Sequence, residues 1–385
     1  MKLALQLAYK NLIGAGLRTW LNVGVLALSF IIIIFFRGFL EGWFNQALEE
    51  SIAWEYANGH LVNEDYDLFD PFSIQDAHGV LGDNETKNLT PILIRQAAIY
   101  PQGRMLSVLL KGIDVDQTNI VLPTKNLKIN SETIPAMIGK NMANAAKLQE
   151  GDQLLLRWRD KGGTFDAKNI TIVKVFTTNV GTVDNGQIWI PIEKLWEMTG
   201  LKNHATLFVA NENYISTDIS GWQFQSQDDL LKDFYELMEM EKMSSFFMYM
   251  LLLSIALLAI FDTQVLSVFR RQKEIGTYVA LGMTRTEVVA LFTVEGTMYS
   301  IFAMIVGSIV GLPLFLYLAK NGIVFPDFYQ DMGIVFPKRI FLVFDFQVVS
   351  TTILLVVVAA AIVSFLPARK ISKMNPVLAL KGKLQ

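Results

Sequence analysis

The chain has 385 residues, 52% of them hydrophobic and 18% charged, with a formal net charge of −3 and no cysteine. That composition excludes a disordered chain, a collagen-like fibre and a disulfide-stapled scaffold. A soluble domain carries about 25% charged residues, so part of this chain avoids water.

The first 18 residues carry Lys2, Lys10 and Arg18 and no acid. An apolar stretch follows at 20–36 and includes four consecutive isoleucines, Ile31 to Ile34. It is longer than the apolar core of a secretory signal, and no small-residue cleavage site follows it. It reads as an uncleaved membrane anchor.

Residues 37–245 hold 18 basic and 29 acidic residues, a net of −11. Short apolar runs bounded by turn residues predict strands at 92–94, 106–110, 153–158, 170–176, 187–190 and 206–209. Helical patterns fall at 135–148 and 192–200. Lys161-Gly162-Gly163 reads as a hairpin turn between two strands. The pattern is that of a folded α+β domain.

From 228 to 269 there is neither proline nor glycine. Leu230, Leu231, Phe234, Leu237 and Met238 recur at helical spacing. One continuous helix there would be roughly 60 Å long at ~1.5 Å per residue, about twice a bilayer core. Such a helix would be both stalk and second span. The alternative is a break at Ser244-Ser245. The apolar part, 246–261, ends near Asp262, which marks an interhelical contact or a helix end.

A charged loop comes next. Ile275, Val279 and Leu281 suggest a short amphipathic helix closing at Gly282, and Thr284 to Glu287 form a capping box for the following span. The third apolar stretch, 288–319, contains Glu295, a Gly307–Gly311 pair suited to close helix packing, and Pro313. The fourth is 346–366. Each long stretch approaches or exceeds the ~20 residues that cross a ~30 Å hydrocarbon core.

Basic residues orient the spans. The first 18 residues, the loop after the second span and the tail after the fourth together hold 12 basic against 2 acidic residues. These regions are expected to be cytoplasmic. The loop 320–345 is balanced, with 3 of each sign, and is expected outside, along with the large acidic insert.

No catalytic chemistry is evident. G-x-x-x-x-G-K-[ST] is absent, and no hydrolase or zinc-protease motif occurs. His60, His78 and His204 are far apart in sequence and read as singly placed surface histidines, so no metal site is expected.

The block R-x-x-E-I-G-x-x-x-A-L-G-M at 271–283, followed by Glu295-Gly296, resembles the permease core of the MacB/LolC/FtsX-type (type VII) ABC transporters. Leu366-Pro367-Ala368-Arg369-Lys370 with Asn375-Pro376-Val377-Leu378-Ala379-Leu380 is similar to that family's tail. Ala8-Tyr9-Lys10-Asn11-Leu12 with Arg18-Thr19 resembles its lead-in. Ile138-Gly139-Lys140 and 148–152 resemble parts of its outer domain. A four-span chain with a large outer insert looks most like the lipoprotein-releasing LolC/LolE branch.

The resemblance implies an α+β, four-transmembrane-helix permease with its extracytoplasmic domain inserted between the first and second spans. The corresponding segments are a cytoplasmic lead-in at 1–18, the first span at 19–44, a periplasmic domain at 45–227, stalk and second span at 228–269, and a coupling helix at 270–285. The third span is then 286–319, an outer loop 320–345, the fourth span 346–366 and the cytoplasmic tail 367–385. It implies a bacterial inner-membrane location with both termini cytoplasmic.

By the same resemblance, Arg271, Glu274, Ile275, Gly276, Leu281 and Gly282 couple the chain to a cytoplasmic ABC ATPase dimer. ATP and Mg belong to that partner, a separate chain, and this chain binds no cofactor. A second permease chain, identical or related, completes the membrane part. The substrate would be a lipoprotein, passed to a periplasmic carrier. Phe35, Phe36, Phe39, Trp43, Met240, Met243, Phe246, Phe247 and Met250 are candidates for an acyl-chain entrance, since flexible methionines repack around variable apolar ligands. An aromatic interface belt with ordinary helix packing explains them equally well. Two other family roles remain open: FtsX-like mechanical regulation of a periplasmic hydrolase, and MacB-like efflux. Nucleic acid is not an expected partner.

Overall fold

The computed structural model describes residues 16–67, 69–82, 85–129, 132–325, 337 and 339–373. The lead-in at 8–12 and the tail segment at 375–380 lie outside the described residues, as do the side chains of Arg18 and Thr19. In chain order, α1 (Leu17–Ser51) ends in a π-helical turn (Ile52–Tyr56) and is followed by β1 (Gly59–Asn63), β2 (Leu89–Ile99), β3 (Leu106–Ile113) and β4 (Ile134–Gly139). Next come α2 (Lys140–Ala146), β5 (Gln153–Arg159), β6 (Phe165–Phe176), α3 (Gly181–Asp184), β7 (Gln187–Pro191), α4 (Ile192–Thr199), β8 (Leu207–Ala210) and β9 (Trp222–Ser226). The helices that follow are α5 (Gln227–Leu230), α6 (Lys232–Arg270), α7 (Gln272–Ala280), α8 (Arg285–Asn321) and α9 (Phe346–Ala368). Contacts divide the chain into two compact units, one of Met1–Trp43, Met238–Ile323 and Ile340–Gln385, the other of Phe44–Leu237 and Val324–Arg339.

The second unit is built on a nine-stranded sheet in the order β3-β7-β4-β6-β5-β2-β8-β1-β9. An extra β2–β3 pairing joins the first strand of that order to the sixth, so six strands close into a ring. Strands β3–β7 and β4–β6 pair parallel and the others antiparallel. Closure removes free edges from the ring. Its core is aliphatic, with Leu93, Leu110, Ile138, Leu156, Ile170 and Ile190 buried, and Leu195 of α4 packs on it. Gly112 lets α4 approach β3, because a Cβ there would meet Leu195 at 2.9 Å.

Sequence periodicity predicts a helix over 135–148, but Ile134–Gly139 is strand β4 and the helix begins only at Lys140. The reason is burial. All six residues of β4 are buried between β6 and β7, and a short apolar run buried on both faces has no periodicity to distinguish strand from helix. The 161–163 turn does join two antiparallel strands, β5 and β6, closed by the Asp160 N–H donating to the Thr164 carbonyl at 2.9 Å.

The histidines differ more sharply from expectation. His60 is buried, with Nε2 2.9 Å from the Glu55 carbonyl. His78 and His204 are not solitary: their Nδ1 atoms lie 3.0 Å apart and their rings meet edge to face. An isolated antiparallel bridge between Gly79 and Ala205, with reciprocal hydrogen bonds of 2.9 Å, brings the two loops together across 126 residues of sequence. Among the described residues, no three His, Asp or Glu side chains converge as a metal set would.

The first unit is a bundle of apolar helices. Four helices, Trp20–Tyr56, Lys232–Arg270, Arg285–Asn321 and Phe346–Ile371, are long and apolar enough to cross a membrane. Leu26, Phe30 and Ile33 of α1, Leu253 and Ile260 of α6, Ala303 of α8 and Ala360 of α9 share one core. Helix α6 is unbroken for 39 residues and runs straight through Ser244 and Ser245. It starts at Lys232 and not at Asp228: the preceding turn α5, begun by the Ser226–Asp229 capping box, ends at Leu231, where the backbone leaves regular helical geometry (φ −94°, ψ 0°). Small residues allow close approach. A Cβ on Gly307 would meet Phe30 of α1 at 3.0 Å, one on Gly311 would meet Ile31 of α1 at 3.4 Å, and one on Gly296 would collide with the Ser364 side chain of α9.

Candidate coupling site

The chain reverses tightly between α6 and α8. Helix α7 closes with the two hydrogen bonds of a Schellman motif: the Met283 N–H donates to the Tyr278 carbonyl at 3.0 Å and the Gly282 N–H to the Val279 carbonyl at 3.1 Å. Gly282 sits at φ +99°, where a side chain would be strained. Thr284 then caps α8, its hydroxyl accepting from the Glu287 N–H while Glu287 accepts from the Thr284 N–H at 2.8 Å. These local signals end α7 as a short helix and start α8 directly after it.

Arg271, between α6 and α7, is the hub of the site. Its Nε and Nη2 donate to the two oxygens of Glu274 at 2.6 and 2.8 Å. Its Nη1 donates to both oxygens of Glu295 at 2.9 Å. The guanidinium also lies over the ring of Phe292, 4.7 Å from the centroid. Tyr278 donates its hydroxyl proton to Glu274 at 2.7 Å. A planar guanidinium can give a paired, bidentate contact to one carboxylate while bonding a second, a fixed geometry that a lysine ammonium does not reproduce. Hydrogen bonds from Arg271 hold the Glu274 carboxyl below the usual carboxylate range, and those bonds raise Arg271 in turn. Burial, helped by Glu274, pushes the Tyr278 phenol up.

Ile275 anchors the apolar side. It is buried with Val268, Val288, Val289, Phe292, Ala368 and Ile371. Gly276 is buried beside it. Arg271, Glu274, Ile275 and Gly276 therefore face the bundle. Leu281, 79% exposed, and Gly282 face outward. So do Lys273, Thr277 and Ala280, which share the outer face of α7 at helical spacing. Glu295, Phe292 and Tyr278 belong to the network but were not among the sequence-derived site residues. The signal available for Glu295 was a lone acid in an apolar run, which is expensive unless paired. Asp262 is exposed on α6.

The other candidate residues distribute as follows. Met240, Met243, Phe247 and Met250 are exposed along one side of α6, Phe247 by 67%. Phe246 is 48% exposed and lines a separate pocket. On α1, Phe35 stacks on Phe39 and meets Phe36 edge to face, with Phe36 and Trp43 partly exposed.

Residues 246–376 match the FtsX-like permease C-terminal family. The matched stretch contains Arg271, Glu274 and Glu295, so the whole network lies within this FtsX-like region. A stretch of 131 residues is 28% identical to an uncharacterised ABC transporter permease, MJ1507, of Methanocaldococcus jannaschii. It covers 34% of this chain and 30% of that protein. The chain therefore spans under a third of the length of that curated relative. The extracellular domain of the ABC-type transporter YknZ from Gram-positive bacteria is similar over 40% of this chain and 84% of that domain, at 15% identity and a TM-score of 0.26. A likeness that slight equates neither fold nor function.

Proposed function

We propose that this chain is the membrane permease subunit of an ATP-driven ABC complex of the type VII family, with its ATPase on a separate polypeptide. The observation that carries this is the Arg271–Glu274–Glu295 network inside the FtsX-like region. It ties α7 to α8, so a push on the outer face of α7 would move the membrane helices rather than bend a loop. Lys273, Thr277, Ala280 and Leu281 form the docking face for the ATPase. Arg271, Glu274 and Ile275 hold that face in position. The sequence itself holds no P-loop.

We further propose that the substrate is a lipoprotein drawn from the outer leaflet of the bacterial inner membrane and handed to a periplasmic carrier. In this arrangement both termini are cytoplasmic and the sheet unit is extracytoplasmic. Two permease chains, identical or related, face each other across Met240, Met243, Phe247 and Met250 of α6 and Phe36 of α1. The exposed apolar stripe on α6 supports this. The unbroken 39-residue α6 supports a second reading, FtsX-like mechanical signalling to a periplasmic hydrolase.

The test is reconstitution in nanodiscs with the ATPase, a triacylated lipoprotein and a soluble carrier. ATP-dependent transfer of the lipoprotein to the carrier is expected. If lipoprotein neither stimulates ATP turnover nor leaves the membrane, while a hydrolase responds to ATP instead, the signalling reading replaces release.

A further inference from the structure

A pocket of about 470 Å³ opens among α1, α6 and the start of α9, well within the size range of small-ligand sites. Its lining has apolar walls, among them Ile33, Leu40 and Leu355, and a charged rim. The rim charges, Arg37, Glu41, Lys242 and Asp345, balance in number, but among the described residues only Lys242 and Glu41 pair with each other. Lys242 pairs with Glu41 at 3.5 Å. Arg37 is braced by Thr351 and Thr352, whose hydroxyls each accept from Nη1 at 3.0 Å. Its Nε and Nη2 meet no protein acceptor among the described residues, and neither Arg37 nor Asp345 has an ion-pair partner there. Tyr249 is 6% exposed, and its hydroxyl meets no hydrogen-bond acceptor or donor within bonding geometry among the described residues. A buried hydroxyl in native proteins nearly always has a partner.

The position of the pocket says what kind of molecule fits. Arg37 directly follows the apolar run of α1, Lys242 shortly precedes that of α6, and Asp345 immediately precedes α9. All three mark the change from apolar to polar sequence at the same end of three candidate spans. That is the headgroup level of a bilayer, where long cationic side chains and tyrosines settle. One cation with an open donor edge, one open hydroxyl and one open carboxylate complement a phosphate joined to an ammonium.

We infer that this pocket binds the headgroup of a phosphatidylethanolamine molecule, its phosphate on Arg37 and Tyr249 and its ammonium on Asp345. The inference rests on these helices crossing a bilayer and not on the transport reading. Asp345 disfavours a purely anionic headgroup such as phosphatidylglycerol. A choline headgroup has no N–H to donate to that carboxylate. Free phosphoethanolamine has the same polar chemistry but no acyl chain for the apolar walls.

The test is native mass spectrometry of the full chain in detergent with dioleoyl-phosphatidylethanolamine, -phosphatidylglycerol or -phosphatidylcholine, and with O-phosphoethanolamine as competitor. The ethanolamine lipid should be retained about tenfold more tightly than the other two, the factor set by one charge-assisted hydrogen bond. Arg37→Gln should lose about tenfold for the same reason, and Asp345→Asn should erase the preference over choline. Equal retention of all three lipids, or unchanged retention in Arg37→Gln, overturns the assignment. Displacement by phosphoethanolamine alone overturns the lipid as the source. If Arg37→Gln does not fold, Tyr249→Phe, which keeps the ring packing, must weaken retention several-fold. Failure of any of these leaves ATP coupling through α7 untouched, since that is read from ATP turnover.

Discussion

Arg271 and Glu295 meet through two hydrogen bonds of 2.9 Å, and the Glu295 side chain is only 8% exposed. Twenty-four residues and a complete chain reversal separate them. This pair joins the segment after α6 to the interior of α8, and it makes a buried acid tolerable in a helix that is otherwise apolar.

Arg271→Ala removes the cation from that carboxylate. Breaking one side of a buried ion pair costs about 3–5 kcal/mol, and thermal unfolding of the detergent-solubilised chain should show a loss of that order. Arg271→Lys should recover only part of it, because an ammonium lacks the planar paired donors that meet both oxygens of Glu274 while Nη1 bonds Glu295. Equal stability of the lysine variant and the wild type would show that the bidentate geometry is unimportant.

Leu281→Asp and Lys273→Glu alter the outer face of α7 and touch none of the network. Surface changes of this kind usually stay within about 0.5 kcal/mol, so the unfolding temperature should hardly move. ATP turnover in the reconstituted complex should nevertheless lose its dependence on the permease. Normal coupling in both variants would remove α7 as the docking element.

Gly296→Ala places a methyl group against the Ser364 side chain. Overpacking of this kind costs about 1–3 kcal/mol. Adding Ser364→Gly should restore part of the loss, and a double-mutant cycle on unfolding free energies measures the coupling. Strict additivity of the two changes would mean that the helices separate rather than clash.

His78 and His204 titrate below the ordinary histidine value of 6.5, chiefly because burial disfavours the charged ring, with Arg95 acting on His78 and Lys161 on His204 in the same direction. Asp76 acts on His78 in the opposite sense. Both groups are depressed in the fold, so the unfolded chain takes up protons first as pH falls. Their contribution to stability is therefore complete above about pH 6.5 and is lost as pH drops through the depressed values. Unfolding temperature measured from pH 7.5 to 5 should fall for the wild type and fall less for His78→Gln/His204→Gln. Parallel curves would assign the acid sensitivity elsewhere.

Much of the local structure was legible in sequence. The capping box Thr284–Glu287 and the stop at Gly282 appear at the expected residues, since caps depend on neighbours three or four positions apart. Strands β5 to β8 fall close to the alternating runs that predicted them. β1 and β9 were not anticipated: each is only five residues long, and each is a strand through pairing with distant partners. β4 was mistaken for helix because its burial on both faces hides the period of its side chains.

By itself, the sequence determined the four apolar segments, the asymmetry of charge around them and the absence of a P-loop, because hydrophobic length and composition are properties of contiguous residues. The tertiary structure alone decided which face of α7 looks inward, that Glu295 answers Arg271, that His78 sits on His204, and that Arg37, Tyr249 and Asp345 border one cavity. Those relationships depend on how distant segments are brought side by side by packing. No local periodicity encodes which lone charge in one helix meets which charge beyond the next turn.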